Sequence, residues 1–448
     1  MTAAFSNSPA DLAELAEQIL KLARDQGASH AQVSLSQSRG LSLKMRQSRV
    51  QSRVRETHSG YSLTVFMGKH QGSVNSTDLS PNTLSQSVKA ACAIARYTGE
   101  DAAAGPASSE QLCSPNSDLN LFHPWNINED QAIVLAQRME SGLESAGGSV
   151  QSEGAWVNSH QSYYLLATSE GFNQGVAKSF HSLGASALAR NDQYSERDHW
   201  SESATDARTL PSVEQIGRNA GLNALAYLNQ GALNSRRCAV LFDPRTATSL
   251  VGHFIQAISS QALYTNATFL KDQIGQPVMS DHLRLYEDPY LAGGNASMNF
   301  DSDGIAPQQR YLVEDGVLKG YLLSLYGARR LGMEPTGNGF GPGNLLLSSN
   351  STAAADDLPA MLRKLGTGLL VTSLVGNGVR LISGDYSRGA RGFWVENGEI
   401  QHAVTGITIA ANLKEMLKGI VAVGSDVICQ GPFSTGSILI EQMQISGQ

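Results

Sequence analysis

No histidine in this 448-residue chain is followed by glutamate, so the H-E-x-x-H arrangement and its longer variant H-E-x-x-x-H are both absent. The absence has a chemical meaning. Two histidines one helical turn apart can meet a single metal ion, and the glutamate between them can act as general base toward the metal-bound water. The apolar run opened by Asp243-Pro244 keeps one imidazole, His253, where catalytic zinc takes three protein ligands. A lone histidine on a helix reads first as a packed or surface residue.

Other clusters invite chemistry and fall short of it. Asp385-Tyr386-Ser387-Arg388-Gly389 sits among glycines. A nucleophile elbow, G-x-S-x-G, needs glycine where Asp385 stands and a strand-turn-helix around it, so the stretch reads as a strand turn. The alternating glycines at 337, 339, 341 and 343 lack the lysine and following Ser/Thr of a phosphate loop and read as a tight or flexible turn. Lys44, Arg46, Arg49, Arg53 and Arg55 form the strongest basic cluster, in strand register. With a formal net charge of −7, that cluster reads as a solvated strand face or a protected sheet edge, and nucleic acid is not the expected partner. Trp125, Tyr163 and Tyr164 read as core or interface anchors. Cys92, Cys113, Cys238 and Cys429 are far apart with no C-x-x-C pair, which predicts reduced thiols and a cytoplasmic setting.

The elements that must position these residues follow from periodicity. Ser8-Pro9-Ala10-Asp11 combines an N-cap, a first-turn proline and an acid three residues on, so a helix over 9–26 is predicted, ending at Gly27. From Val33 the period becomes two, through Leu41/Leu43/Met45 and Tyr61/Leu63/Val65, punctuated by Gly40 and Ser59-Gly60: a strand meander. Ser80-Pro81 and Asn128-Glu129-Asp130 open two more helices, strands continue to about Arg190, and residues 210–230 read as a last helix. The helix-then-strands order occurs twice, from an old duplication or from a common packing solution. Disorder is expected only at the ends and over 100–117. After Asn234 the chain turns to glycine-punctuated apolar runs at 239–242, 369–375 and 438–440. The boundary therefore falls between residues 1–233 and 234–448, in line with a length beyond what one core supports. The N-terminus lacks a signal-peptide pattern, and the longest uncharged stretch is too short and glycine-broken for a bilayer, so no membrane is expected.

The runs AVLFDP (239–244) and RTATSLVGHFIQA (245–257) carry a family resemblance, extended by LYGARRLG (325–332), TGN (336–338), GDYSRG (384–389), GFWVENG (392–398) and GITIAANL (406–413). Together they resemble the TldD/PmbA family, in its PmbA (TldE) branch. The resemblance implies an α+β fold: an N-terminal α/β domain of helices and antiparallel meanders, then a C-terminal, mainly antiparallel β domain, barrel- or sandwich-like with a few helices, equivalent to the family's metalloprotease domain. In the metal-bearing branch H-E-x-x-x-H occupies the slots that here hold Gly252, His253 and Ala257. The resemblance thus implies no zinc on this chain, zinc on a TldD-like partner in a heterodimer, unfolded peptides or small proteins as substrates, and a role in shaping the peptide channel. Residues 385–388 (Asp385, Tyr386, Ser387, Arg388) are candidates to line a groove into which a peptide adds as a strand. A homodimer of the isolated chain, a stand-alone metallopeptidase with an unrecognised site, and the gyrase-modulator role attached to the family stay open.

Overall fold

The computed structural model describes residues 5–114 and 117–447 and divides the chain into two units, one ending at Leu225 but including Asn299–Ala306, the other formed by the rest. In the first unit, Ser8 caps helix α1 (Pro9–Asp25) with a reciprocal capping box through Asp11, and Gly27 follows at φ +90°. Strands β1 (His30–Arg46), β2 (Arg49–Met67) and β3 (His70–Ser76) then form the meander, closed by α2 (Pro81–Tyr97). Asn128 caps α3 (Glu129–Glu144) with a second capping box. After it come β4 (Val150–Thr168), β5 (Asn173–Arg190), β6 (Ser195–Ala204) and α4 (Val213–Ala226). Helix, three strands, helix therefore occurs twice, and the sheet order β3-β2-β1-β4-β5-β6 places the first strand of each set at the centre. Alternate residues Val33, Leu35, Leu41, Leu43 and Met45 of β1 are buried, the period-two signature of one covered face.

Three details depart from the sequence reading. Gly40 and Ser59-Gly60 lie inside β1 and β2, whereas the chain reverses at Gln47-Ser48, both left-handed at φ 50° and 59°. Gly60 is there for space: a Cβ would stand 2.9 Å from the Ser76 carbonyl. Strand β6, with its polar sequence SERDHWSESA, has no apolar alternation to announce it. The stretch expected to be disordered is anchored by Ala103, Ala104 and Ala107, all buried, so its described part is a packed coil; residues 115–116 and the extreme ends lie outside the described residues.

The second unit begins with β7 (Arg236–Phe242) and helices α5 (Pro244–Ala257) and α6 (Ser260–Tyr264). Strands β8 (Leu283–Asp288), β9 (Arg310–Glu314) and β10 (Val317–Leu318), helix α7 (Leu325–Leu331) and strand β11 (Asn344–Ser349) follow. Next come α8 (Leu358–Leu365), β12 (Gly368–Val375), β13 (Val379–Arg380), β14 (Asp385–Glu396) and β15 (Glu399–Asn412). The unit ends with α9 (Leu413–Lys418), β16 (Ile420–Val423), β17 (Ile428–Gln430), β18 (Phe433–Thr435) and β19 (Ile438–Ser446). One sheet runs β10-β9-β8-β11-β18-β17. The other runs β12-β7-β19-β15-β14-β13, and an added β12–β14 pairing closes it into a barrel. The fold is α+β, with meanders first and a barrel-like sheet last. The inner core carries Val240, Phe242, Leu369, Val371, Ile409 and Ile438, with Leu250, Val251 and Phe254 of α5 packed on it. Among the described residues no helix is long and apolar enough to cross a membrane.

Candidate functional site

Helix α5 starts at Pro244 because Asp243 caps it and Pro244 fills its first position. The cap is itself buried. Asp243 Oδ1 accepts from Thr246 N at 2.8 Å, and Arg245 Nε donates to Oδ2 at 3.0 Å. Burial pushes the Asp243 carboxyl up, against the opposing pull of Arg245 and the Thr246 bonds. Thr246 Oγ1 also donates to the Val371 carbonyl at 3.0 Å, and Thr248 Oγ1 to Gln430 Oε1 at 2.9 Å. The helix is thus fastened to the barrel strand β12 and to β17, and its register fixes where residues 252, 253 and 257 fall.

At Gly252 a Cβ would meet only the Phe433 ring, at 3.8 Å. Ala257 is fully buried. His253 lies edge-on to the Tyr386 ring, with centroids 6.1 Å apart and planes at 75°. Tyr386 is not in a turn, as the sequence suggested. Residues 385–388 open strand β14, and the turn precedes them, where Gly384 N donates to Arg380 O. Period-two geometry splits the four candidate residues. Tyr386 is buried and Arg388 half-buried on one face, while Asp385 and Ser387 are exposed on the other. Both edges of this segment are taken: Tyr386 pairs with Ala411 of β15 and Val379 of β13, and Ser387 N donates to Gly378 O.

His253, Tyr386 and Arg388 therefore converge, two from a strand and one from a helix. His253 Nε2 and Arg388 Nε are buried without a hydrogen-bond partner, and the Tyr386 hydroxyl is buried beside Arg388. Burial, and then the positive charge of Arg388, hold the His253 imidazole below its ordinary value. Burial pushes the Tyr386 phenol well up, with Arg388 pulling the other way. The donor set is one neutral imidazole, one neutral phenol and one guanidinium. Among the described residues no three His, Cys, Asp or Glu side chains are grouped closely enough to hold a metal ion.

The other sequence candidates fall elsewhere. The glycine loop is a tight turn around Asn338, whose Nδ2 donates to the fully buried Glu287 at 2.8 Å and to Gly341 O at 3.1 Å. Arg310 Nε donates to Glu287 at 3.1 Å and its Nη2 to Asn338 Oδ1 at 3.0 Å. Thr336 and Asn338 of the TGN run thus hold a loop, a role that Glu287 and Arg310 share and that no sequence motif marked. Residues 49–60 of β2 have β1 as their sole strand neighbour among the described residues, the sheet edge expected of the basic cluster. Arg46 pairs with Glu153 at 2.7 Å and Arg53 with Glu129 at 2.9 Å, which offsets part of the charge. Trp125 stacks edge-on against His181 at 5.5 Å and lines a cleft of about 400 Å³ with Arg39, Arg55 and Gln161. The four cysteines are free thiols.

Sequence models of three PmbA/TldA metallopeptidase domains match this chain: domain 1 at 31–95, the central domain at 122–228 and the C-terminal domain at 235–447. The chain belongs to the PmbA/TldD family. Metalloprotease PmbA of Escherichia coli O157:H7 is 38% identical over 93% of this chain and 92% of its own length. A crystal structure from Bacteroides thetaiotaomicron, described as a modulator of DNA gyrase, superposes with a TM-score of 0.91 at 25% identity, covering 97% of this chain and 98% of that one. TldE of Thermococcus kodakarensis shares the fold, with a TM-score of 0.82 at 16% identity over 97% of this chain and all of that one. Within the PmbA/TldD family, then, this member carries Gly252, His253 and Ala257 on the helix that follows β7.

Proposed function

We propose that this chain is the zinc-less, PmbA/TldE-type subunit of a two-component metalloprotease, paired with a TldD-like subunit that carries the zinc. One observation carries the reading: α5 offers a single imidazole, His253, with Tyr386 of β14 edge-on to it and Arg388 two residues on along the same strand face. A divalent cation needs anionic or neutral donors around it, and a fixed positive charge at that place repels it. Glycine and alanine at 252 and 257 supply no donor at all. The residues present do not fit zinc, so no catalytic step is assigned to this chain.

Its contribution is to wall and shape the channel in which unfolded peptides or small proteins meet the partner's metal centre. Such a pair calls for an interface of roughly 2,000 Å² or more, as obligate complexes have. Co-purification with the TldD-like partner, zinc analysis of each chain, and peptidase assays on each alone and on the mixture test the proposal. Activity confined to the mixture, with zinc following the partner, is expected; stoichiometric zinc and peptidase activity in this chain alone would sink it. A gyrase-modulating role has the description of the Bacteroides neighbour behind it. It requires salt-sensitive DNA binding by the isolated chain, for which the partly paired arginines of β1 and β2 are a weak platform.

A further inference from the structure

The cluster on α5 and β14 is left with something to bind. Tyr386 is 1% exposed, and its buried hydroxyl lies beside Arg388. Arg388 Nε and His253 Nε2 are buried and unpaired. A buried polar group normally finds a partner, in the protein or in a ligand, because burying it unpaired is unfavourable. Here two such atoms and the Tyr386 hydroxyl belong to one cluster, and all three can be donors: the guanidinium always, the phenol by its hydroxyl, the imidazole in the tautomer with hydrogen on Nε2. Asp385, one residue away, points to the opposite face and is engaged by Ser383 Oγ at 2.6 Å.

We propose that His253, Tyr386 and Arg388 form a binding site for a carboxylate of a peptide. The site has the charge for a monoanion, since one guanidinium offsets one negative charge and a dianionic phosphate would leave an excess in a half-buried place. The chemistry suits it as well, because a guanidinium can fork onto the two oxygens of a planar carboxylate. The inference rests on the zinc-less reading above and deepens it: where the metal-bearing branch gathers ligands for a cation, this chain presents donors to an anion. The carboxylate is either a peptide's C-terminus or an Asp or Glu side chain, and the experiment separates the two.

Fluorescence anisotropy on the isolated full chain would use three forms of a short glycine-serine peptide tagged with an uncharged coumarin. One ends in a free carboxylate, one is amidated, and one is amidated with a single internal glutamate. The free acid, the glutamate form or both should bind the wild-type chain about tenfold or more tighter than the plain amide, the scale of a charge-assisted bidentate contact. Arg388→Gln should abolish that preference, Arg388→Lys should retain part of it, and Tyr386→Phe should reduce it severalfold. Equal affinity for all three peptides, no binding of any, or a preference that survives Arg388→Gln would overturn the proposal. If Arg388→Gln does not fold, Tyr386→Phe decides, and an unchanged preference in that variant overturns it. Because neither partner nor zinc is present, failure here leaves the partner-subunit reading to its own mixture assay.

Discussion

Glu287 is fully buried, and its carboxylate accepts from three donors: Arg310 Nε, Asn338 Nδ2 and the amide of Gly343. Removing the cation and keeping the acid leaves an uncompensated charge in the interior. Arg310→Met should therefore cost about 3–5 kcal/mol in urea unfolding, and a loss under 1 kcal/mol would mean that water reaches the site. His253 and His181 share a different property. Both are held below their ordinary value of 6.5, chiefly by burial. The unfolded chain thus takes up protons first as pH falls through 6.5, so these groups subtract stability on the acid side and nothing at about pH 7.5 or above. Replacing His253 with Gln should shrink the drop in urea midpoint between pH 7.5 and 5.5, leaving the part due to His181; an unchanged drop would contradict the assigned direction.

The β1–β2 hairpin turns on two residues that do not favour the left-handed region, Gln47 and Ser48. Both amides donate to the carboxylate of Glu140 on α3, at 2.7 and 2.8 Å, and Ser152 Oγ donates to it at 2.5 Å. Changing Gln47-Ser48 to Asn-Gly should stabilise the protein by about 1 kcal/mol. Glu140→Ala should destabilise it by about 2–4 kcal/mol, since two turn amides and a buried hydroxyl lose their acceptor; thermal melts of the two variants moving the same way would reject this account. The turn also shows why some of the fold was illegible. Caps at Ser8, Ser80 and Asn128 could be read because they act within three residues. The hairpin reversal could not, because its support comes from a side chain about ninety residues away. The same limit applies to the site. His253 and the 385–388 run were each visible, but only the pairing of β14 between β13 and β15 decides that Tyr386 and Arg388, and not Asp385 and Ser387, stand by the imidazole.

At the scale of the chain, the N-terminal unit is not contiguous. Residues 299–306 belong to it, with Phe300 against Phe172 at a centroid distance of 5.1 Å and Ile305 bridged to Leu112. A fragment ending at Leu225 lacks both side chains, each worth about 1.5–3 kcal/mol of burial. It should melt well below the first transition of the full chain and bind a hydrophobic dye, whereas a fragment as stable as the full chain would show the inserted segment to be dispensable. The inserted segment also sets an order of events on the ribosome. Domains usually fold as they emerge, first one and then the next, but here the leading body stays unfinished until residue 306 has left the exit tunnel, by which time β7, α5 and β8 of the trailing body are already outside. Chaperone demand during synthesis should therefore peak over that interval and fall once the eight-residue loop has docked.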